Sequence, residues 1–400
     1  MAFTPRLLLA LAGASLIFSC AHGKDHRVVV APVSVDRLAL VVSFKLPPGA
    51  GRTTGLKDAT GTILPLQVTG AEAVVVIPEQ KAGETLSFLL TEGPVPAATV
   101  QAKADKGQLR LTVAGRPLLN YQMDREALPR TGINPEIKRA GYIHPVYSPS
   151  GKIVTDDYPT NHVHHHGIWT PWTKTKFQGR APDFWNMQAK TGVEDFVALD
   201  RSWSGAVHGG FESRLKMVDL SAPAPVTALH ETWRVTAYAA GPAVQVFDLE
   251  ITQECATSDP LELPKYHYGG FGFRGADAWN GPGEAALFLT SEGETSRLKG
   301  NDTRGRWCYL GGKLDGAISG TAILGHPANF RAPQPMRLHP NMPYMSFVPQ
   351  QLGEFAIEPG KPYVARFRFV VSDGAPDRAK IDAFWNGYAQ PAVLKVEAVP

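Results

Sequence analysis

The sequence has few cysteines, few charges and almost no long apolar runs. Its 400 residues include 3 cysteines, and 19% are charged against an ordinary share of roughly 25%. No CxxC pair occurs, which leaves a cysteine zinc site or a thioredoxin-like motif without support. Beyond residue 21 no apolar stretch approaches the roughly 20 residues that a membrane-spanning helix needs. Formal net charge is +3 without a long basic block, so nothing electrostatic points to nucleic acid. P-loop, GxSxG and HExxH motifs are missing, and His230-Glu231 lacks the second histidine. No carboxylate pair stands out for ordinary glycoside hydrolysis, and no internal repeat or low-complexity tract is evident.

Glycine and proline, by contrast, are abundant. The 39 glycines and 33 prolines make up about 18% of the chain, against roughly 12% in ordinary proteins. Both interrupt regular structure, which argues against a helical bundle and for a turn-rich β protein. The 44% hydrophobic fraction excludes global disorder. The length accommodates two or three domains, or one large β domain with an appendage.

Residues 1–21 read as an export signal. Arg6 supplies the positive start, and Leu7 to Phe18 form an apolar stretch too short to span a bilayer. Two cleavage readings stand. Ile17-Phe18-Ser19-Cys20 resembles a lipobox and would make Cys20 a lipid anchor, whereas Ser19-Cys20-Ala21 suits ordinary signal peptidase. The expected location is outside the cytoplasm, periplasmic or tethered to a membrane through Cys20 alone. Export permits a disulfide between Cys255 and Cys308, and two separately buried thiols are equally compatible with the sequence.

Short strands separated by turn signals fill residues 28–122: Leu38–Leu46, Ala73–Ile77, Thr85–Thr91, Gln108–Val113 and Pro117–Gln122. They are expected to form a small N-terminal β-sandwich. No histidine occurs between 27 and 122, so chemistry is expected in the second region, 123–400. There, Val226–Tyr238 and Ala243–Gln253 flank Gly241-Pro242 and read as a hairpin. Trp233, Val235 and Ala237 alternate with Thr232, Arg234 and Thr236, the period of a sheet covering a core. Tyr363–Val371 alternates likewise. Ile381, Phe384, Trp385 and Tyr388 recur at helical spacing and predict a helix from Pro376 to Tyr388, packed on the sandwich. The fold class expected is all-β: a small sandwich, then a large antiparallel sandwich similar to the supersandwich of sugar epimerases and polysaccharide lyases, with a C-terminal helix.

Five of the 12 histidines lie between 144 and 166. In an extended segment His162, His164 and His166 would share one face and His165 the other. Converging neutral imidazoles at that spacing can bind a divalent transition metal, which makes His162, His164 and His166 candidate ligands. Alternatively one serves as general acid or base, with Asp156, Asp157 or Asp183 orienting it. Three further segments can supply walls: Lys265 to Gly275, Gly325 to Arg331 and Leu338 to Tyr344. Gly270 to Gly275 matches GxGxxG, but no helix signal follows, so a dinucleotide site is rejected. Glycines in a strand more often let the backbone approach a ligand or another strand.

Gly141-Tyr142-Ile143-His144-Pro145-Val146-Tyr147-Ser148-Pro149-Ser150-Gly151, Val154 to Pro159, His164-His165-His166-Gly167-Ile168-Trp169, Tyr268 to Arg274 and His326 to Arg331 occur in this order. Together they resemble the bacterial PmoA-like family, a domain of unknown function labelled "methane oxygenase", over about residues 120–390. That resemblance implies exported proteins of polysaccharide-degrading bacteria, and hence carbohydrate metabolism.

Three functional readings follow. The first is an exported carbohydrate-active enzyme, a lyase, epimerase or hydrolase acting on a sugar or oxidised sugar. His164, His165, His166, His267 and Arg274 are its candidate catalytic residues. His144, Trp169, Trp172, Asp183, Trp185, His326, Asn329 and Arg331 are its candidate substrate-binding residues. The tryptophans would stack on the ring, and Arg274 and Arg331 would hold its oxygens. The second reading is a metal-dependent oxidoreductase with histidine ligands. The third is a glycan-binding lipoprotein without catalysis. The partner in each is a carbohydrate or other small molecule, and not nucleic acid.

Overall fold

The computed structural model describes residues 1, 25–170, 172–281 and 285–399. The signal segment and Cys20 lie outside the described residues. The fold is all-β, with antiparallel pairing throughout.

The small sandwich forms first in the chain. His26–Val30 pairs with Leu86–Glu92, which pairs with Thr53–Lys57. The opposing layer is built on Arg37–Lys45 paired with Glu72–Gln80. Alternation decides which side each residue faces. Leu40, Val42 and Phe44 point into this core with Val75, Ile77 and Phe88, while Ala39 faces away into a second cluster. Leu394–Ala398 returns to pair with His26–Val30, so the first and last of the described strands share one sheet.

Two eight-stranded sheets make the large sandwich. One carries the hairpin Val226–Tyr238 and Val244–Cys255, then Tyr363–Asp373. Trp233, Val235, Ala237, Phe247, Leu249, Phe367 and Phe369 fill the space between the sheets, as their alternation predicts. The other sheet runs, in spatial order, Met336–Leu338, Tyr344–Phe347, Phe271–Arg274, Ile168–Trp169, Tyr142–Val146, Arg116–Gln122, Gln108–Val113 and Val100–Asp105.

The last three of those strands cover 100–122, which the expected boundary at 122 places with the small sandwich. They hydrogen-bond instead into the large one. Period-two alternation states that a strand has a buried face. It does not state which sheet the strand joins.

The predicted helix spans Arg378–Ala389, and its N-terminal Asp377 carboxylate accepts from the Lys380 N–H. Ile381 and Phe384 bury against Ala39, Trp307 and Tyr309, so the helix cements the small sandwich to the large one. Cys255 and Cys308 are both free thiols. Among the described residues no helix is long and apolar enough to cross a membrane.

Candidate functional site

The site lies on the outer face of the sheet that carries Ile168–Trp169. Within Ile168–Trp169, Phe271–Arg274 and Tyr344–Phe347, alternation sends Ile168, Phe273 and Met345 into the core. Trp169 and Tyr344 go to the other face. Gly272 makes room there: a Cβ at this position would lie 3.1 Å from the Trp169 indole. The literal GxGxxG thus contains a strand whose Gly272 admits a tryptophan side chain.

The histidine segment enters this face as consecutive turns. The His162 N–H donates to the Pro159 carbonyl at 2.9 Å, and the His165 N–H to the His162 carbonyl at 2.9 Å. Pro159 and Gly167 bracket the turns, and a Cβ on Gly167 would sit 2.3 Å from the Ile143 carbonyl. The segment is therefore not extended, and the expected common face of His162, His164 and His166 does not form. Instead His162, His164 and His165 gather, with ring centroids 4.9 to 5.5 Å apart. His339 joins from another loop, 5.8 Å from His162.

His166 turns the opposite way. It is fully buried against Tyr142 at 4.8 Å, Tyr158 at 4.5 Å and Trp169 at 5.8 Å. The three expected ligands therefore do not converge. Among the described residues no group of three or more His, Cys, Asp or Glu side chains is arranged to hold a metal ion.

His162, His164, His165, Thr173, Trp185, Asn186, Tyr266 and Tyr268 line a cleft of about 160 Å³. Tyr344 stacks on His165 at 4.9 Å and forms part of its support. Asp183 holds the Trp185 loop in place. Its carboxylate accepts from the Trp185 and Asn186 backbone N–H groups, from Asn186 Nδ2 and from the Thr173 hydroxyl, all at 2.8 to 3.0 Å. Asp183 thus positions the wall.

Burial decides the charge state of the cluster. His164 is pushed down to about 4, by burial first and then by His162. His339 is likewise pushed down to about 4, and His165 lies well below the ordinary histidine value. These imidazoles are neutral near pH 7. Several buried polar atoms here have no protein partner: Nδ1 of His162 and His165, both nitrogens of His166, and Nε1 of Trp169 and Trp185. Buried polar groups are normally paired, so such a concentration is one that water or a ligand would complete.

Behind the cleft runs a buried layer of titratable groups. Tyr142 donates to Asp157 at 3.0 Å, and His144 Nε2 lies 3.4 Å from the same carboxylate. Burial pushes His144 down to about 3. Deeper, Arg139 pairs with Glu194 at 2.8 Å, and the Thr170 hydroxyl donates to Glu231 at 2.6 Å. Burial pushes Glu194 up to about 8. Glu194 and Glu231 share the inner faces of their strands with apolar neighbours, a position the alternation pattern does not flag as chemical.

The remaining expected residues are dispersed. Arg274 is fully buried and donates to Asn280 at 2.7 Å, below the loop and outside the cleft lining; desolvation lowers it to about 10. His144 also lies outside that lining. Trp172 is a core residue whose indole donates to Gln253 at 2.8 Å, so it cannot present a face to a sugar. Trp169 is buried beneath His165. His267 is exposed and stacked on Tyr266 and Tyr268, facing a neighbouring hollow.

His326 and Asn329 line a separate pocket beside Trp385. Asn329 exchanges two hydrogen bonds with the Arg366 backbone, and Arg331 donates to the carbonyls of Pro349, Gly353 and Glu354. Both are structural clamps, because their polar atoms are committed to backbone. Sequence reasoning missed Tyr266, Tyr268, Thr173, Asn186 and His339 as site residues. The alternation Tyr266-His267-Tyr268, and the proline after His339, were the available signals.

Comparison with known proteins adds a family. A family of unknown function (DUF6807) matches residues 108–386, close to the expected range of about 120–390. The match carries no methane-oxygenase label. No curated protein matches the chain. Among solved structures, a glycosyl hydrolase family 38 protein from Enterococcus faecalis is similar, with a TM-score of 0.41 and 8% identity. The alignment covers 94% of this chain and 47% of that one, so the chain spans about half the length of this relative.

Proposed function

The chain belongs to the DUF6807 family of unknown function, and from its cleft we propose an exported carbohydrate-active enzyme that transfers a proton on a sugar ring. The observation that carries this reading is the lining itself. Three neutral imidazoles, two of them with an unpaired ring nitrogen, stand among Trp185, Tyr266 and Tyr268, with no cation or carboxylate in the wall. Aromatic walls suit the apolar face of a pyranose, and neutral donors and acceptors suit its hydroxyls.

His164 is the proposed proton acceptor. It is partly exposed, as are His162 and His339, and a base held near 4 remains unprotonated across the neutral range. His165 and His162 bind hydroxyls through their unpaired nitrogens. The wall supplies imidazole and phenol groups, which favours proton abstraction, as in a lyase or epimerase, over a mechanism with two carboxylates.

Turnover on a panel of glycosides and uronides tests the assignment. His164→Ala should lower kcat/KM by about 10²-fold or more, the usual worth of a positioned acid or base, and His165→Ala by about ten-fold, the worth of a lost hydrogen bond to a hydroxyl. Full activity in both variants would sink it. Sugar binding that survives both changes, with no product from the unaltered chain, would identify a glycan-binding protein instead.

A further inference from the structure

The cleft is small for a whole ligand. Sites for small molecules usually enclose about 300 to 1,000 Å³, and this one encloses about 160 Å³. It is not isolated, however. Tyr266 also forms one wall of a wider hollow of about 520 Å³, lined by Lys265, His267, Asp302, Gln351 and Leu352. Taken together the two reach the usual range, and Tyr266 stands at their junction.

The chemistry of the hollow differs from that of the cleft. Its walls are open, and Leu352 is exposed at 46%. His267 presents an aromatic ring, stacked 4.4 Å from Tyr266 and 4.5 Å from Tyr268. Asp302 accepts from Gln351 at 3.0 Å on one carboxylate oxygen and from Asn301 at 2.8 Å on the other, and the remaining lone pairs of each can accept from a hydroxyl. Lys265 adds a donor. An exposed leucine and an aromatic ring beside polar groups of both signs fit a second neutral sugar unit, apolar on one face and hydroxylated at its edge.

We infer that the substrate is a glycoside of at least two sugar units, one in the histidine cleft and the next in the Leu352 hollow, with Tyr266 at the linkage. This rests on the carbohydrate reading of the cleft. It also gives His267 a role outside the chemistry: it is a binding residue for the second unit.

Titration calorimetry of the full chain with methyl glycosides of common hexoses, and with the matching disaccharides, tests the inference. At least one disaccharide should bind about ten-fold more tightly than its methyl glycoside, a gain equal to one or two net hydrogen bonds. His267→Ala and Leu352→Asp should each reduce that ratio to within about two-fold. Both positions are exposed, so folding is not at stake. A ratio within two-fold in the unaltered chain, or a ratio that survives both substitutions, overturns the second subsite and leaves the cleft reading standing. Failure of every methyl glycoside and disaccharide to bind takes down the carbohydrate reading and the subsite with it.

Discussion

The small sandwich and the histidine face of the large one treat buried polar groups in opposite ways. In the small sandwich Arg37 is fully buried, and every donor nitrogen has an acceptor. Its Nε and Nη2 go to the Gln80 carbonyl oxygen, and its Nη1 goes to the Gln390 carbonyl at 3.2 Å. Gln80 in turn donates to the carbonyls of Ala31 and Glu84. Among the described residues, no unpartnered buried side-chain atom falls before Gln122. At the histidine face such atoms accumulate. Paired buried polar groups specify and staple a fold, whereas unpaired ones cost free energy that selection tolerates where a ligand or water completes the pairing. This contrast, more than the number of histidines, separates the scaffold from the site.

Acid should expose the contrast most strongly. His144, His165 and His166 are buried with depressed values, so in the folded chain they stay neutral well below pH 6.5. The unfolded chain binds their protons from about pH 6.5 downward. Stability therefore falls as pH drops below that point, by about 1.4 kcal/mol per unit for each histidine, or about 2 kcal/mol each at pH 5. Glu194, pushed up to about 8, acts oppositely: the folded chain keeps a proton that the unfolded chain loses above its ordinary carboxyl value, so its contribution falls as pH rises toward 8. Urea unfolding from pH 7 to pH 5, followed by tryptophan fluorescence, should show a loss of several kcal/mol. Unchanged stability at pH 5 would mean that these rings are already solvated or protonated at neutral pH.

Within the small sandwich the sharpest test is Gln80→Leu. The substitution leaves two Arg37 donors and the Ala31 and Glu84 carbonyls without this partner in a buried setting. It should cost about 3 kcal/mol, the upper end for an orphaned buried group beside a charge. A loss below about 1 kcal/mol would show that water reaches Arg37, and the two regions would no longer differ in kind.

How much of this was readable in the chain depended on the length scale of the signal. Alternation over Val226–Tyr238 identified Trp233, Val235 and Ala237 as core residues, and the 3.6-residue period identified the helix through Ile381 and Phe384. The histidine segment was recognisable as a site but not in its geometry. The period-two rule presumes an extended backbone, and the turns between Pro159 and Gly167 reversed His166 relative to His164. Contacts between distant segments left no local mark. Tyr266 and His339 reach the cluster from about 100 and about 175 positions beyond His162–His166. Asn329 and Arg331 looked chemical because of their residue types, yet their side chains are spent on backbone groups.

His166→Phe makes the smallest expected change and the finest cut between the two regions. Both ring nitrogens of His166 are buried without a partner, among Tyr142, Tyr158 and Trp169. A phenyl ring of similar shape removes two unsatisfied polar atoms and keeps the aromatic contacts. Replacing an unpaired buried polar group by an apolar one of like shape is close to neutral or stabilising. The change in unfolding free energy should therefore stay within about 1 kcal/mol, in contrast to Gln80→Leu. A loss of about 3 kcal/mol would reveal that His166 holds a strong partner, such as a bound water shared with Arg139. It would then belong with Arg37 among the paired structural groups. Near-neutral stability together with reduced turnover would place the His166 nitrogens in the service of the site, because the fold alone does not need them.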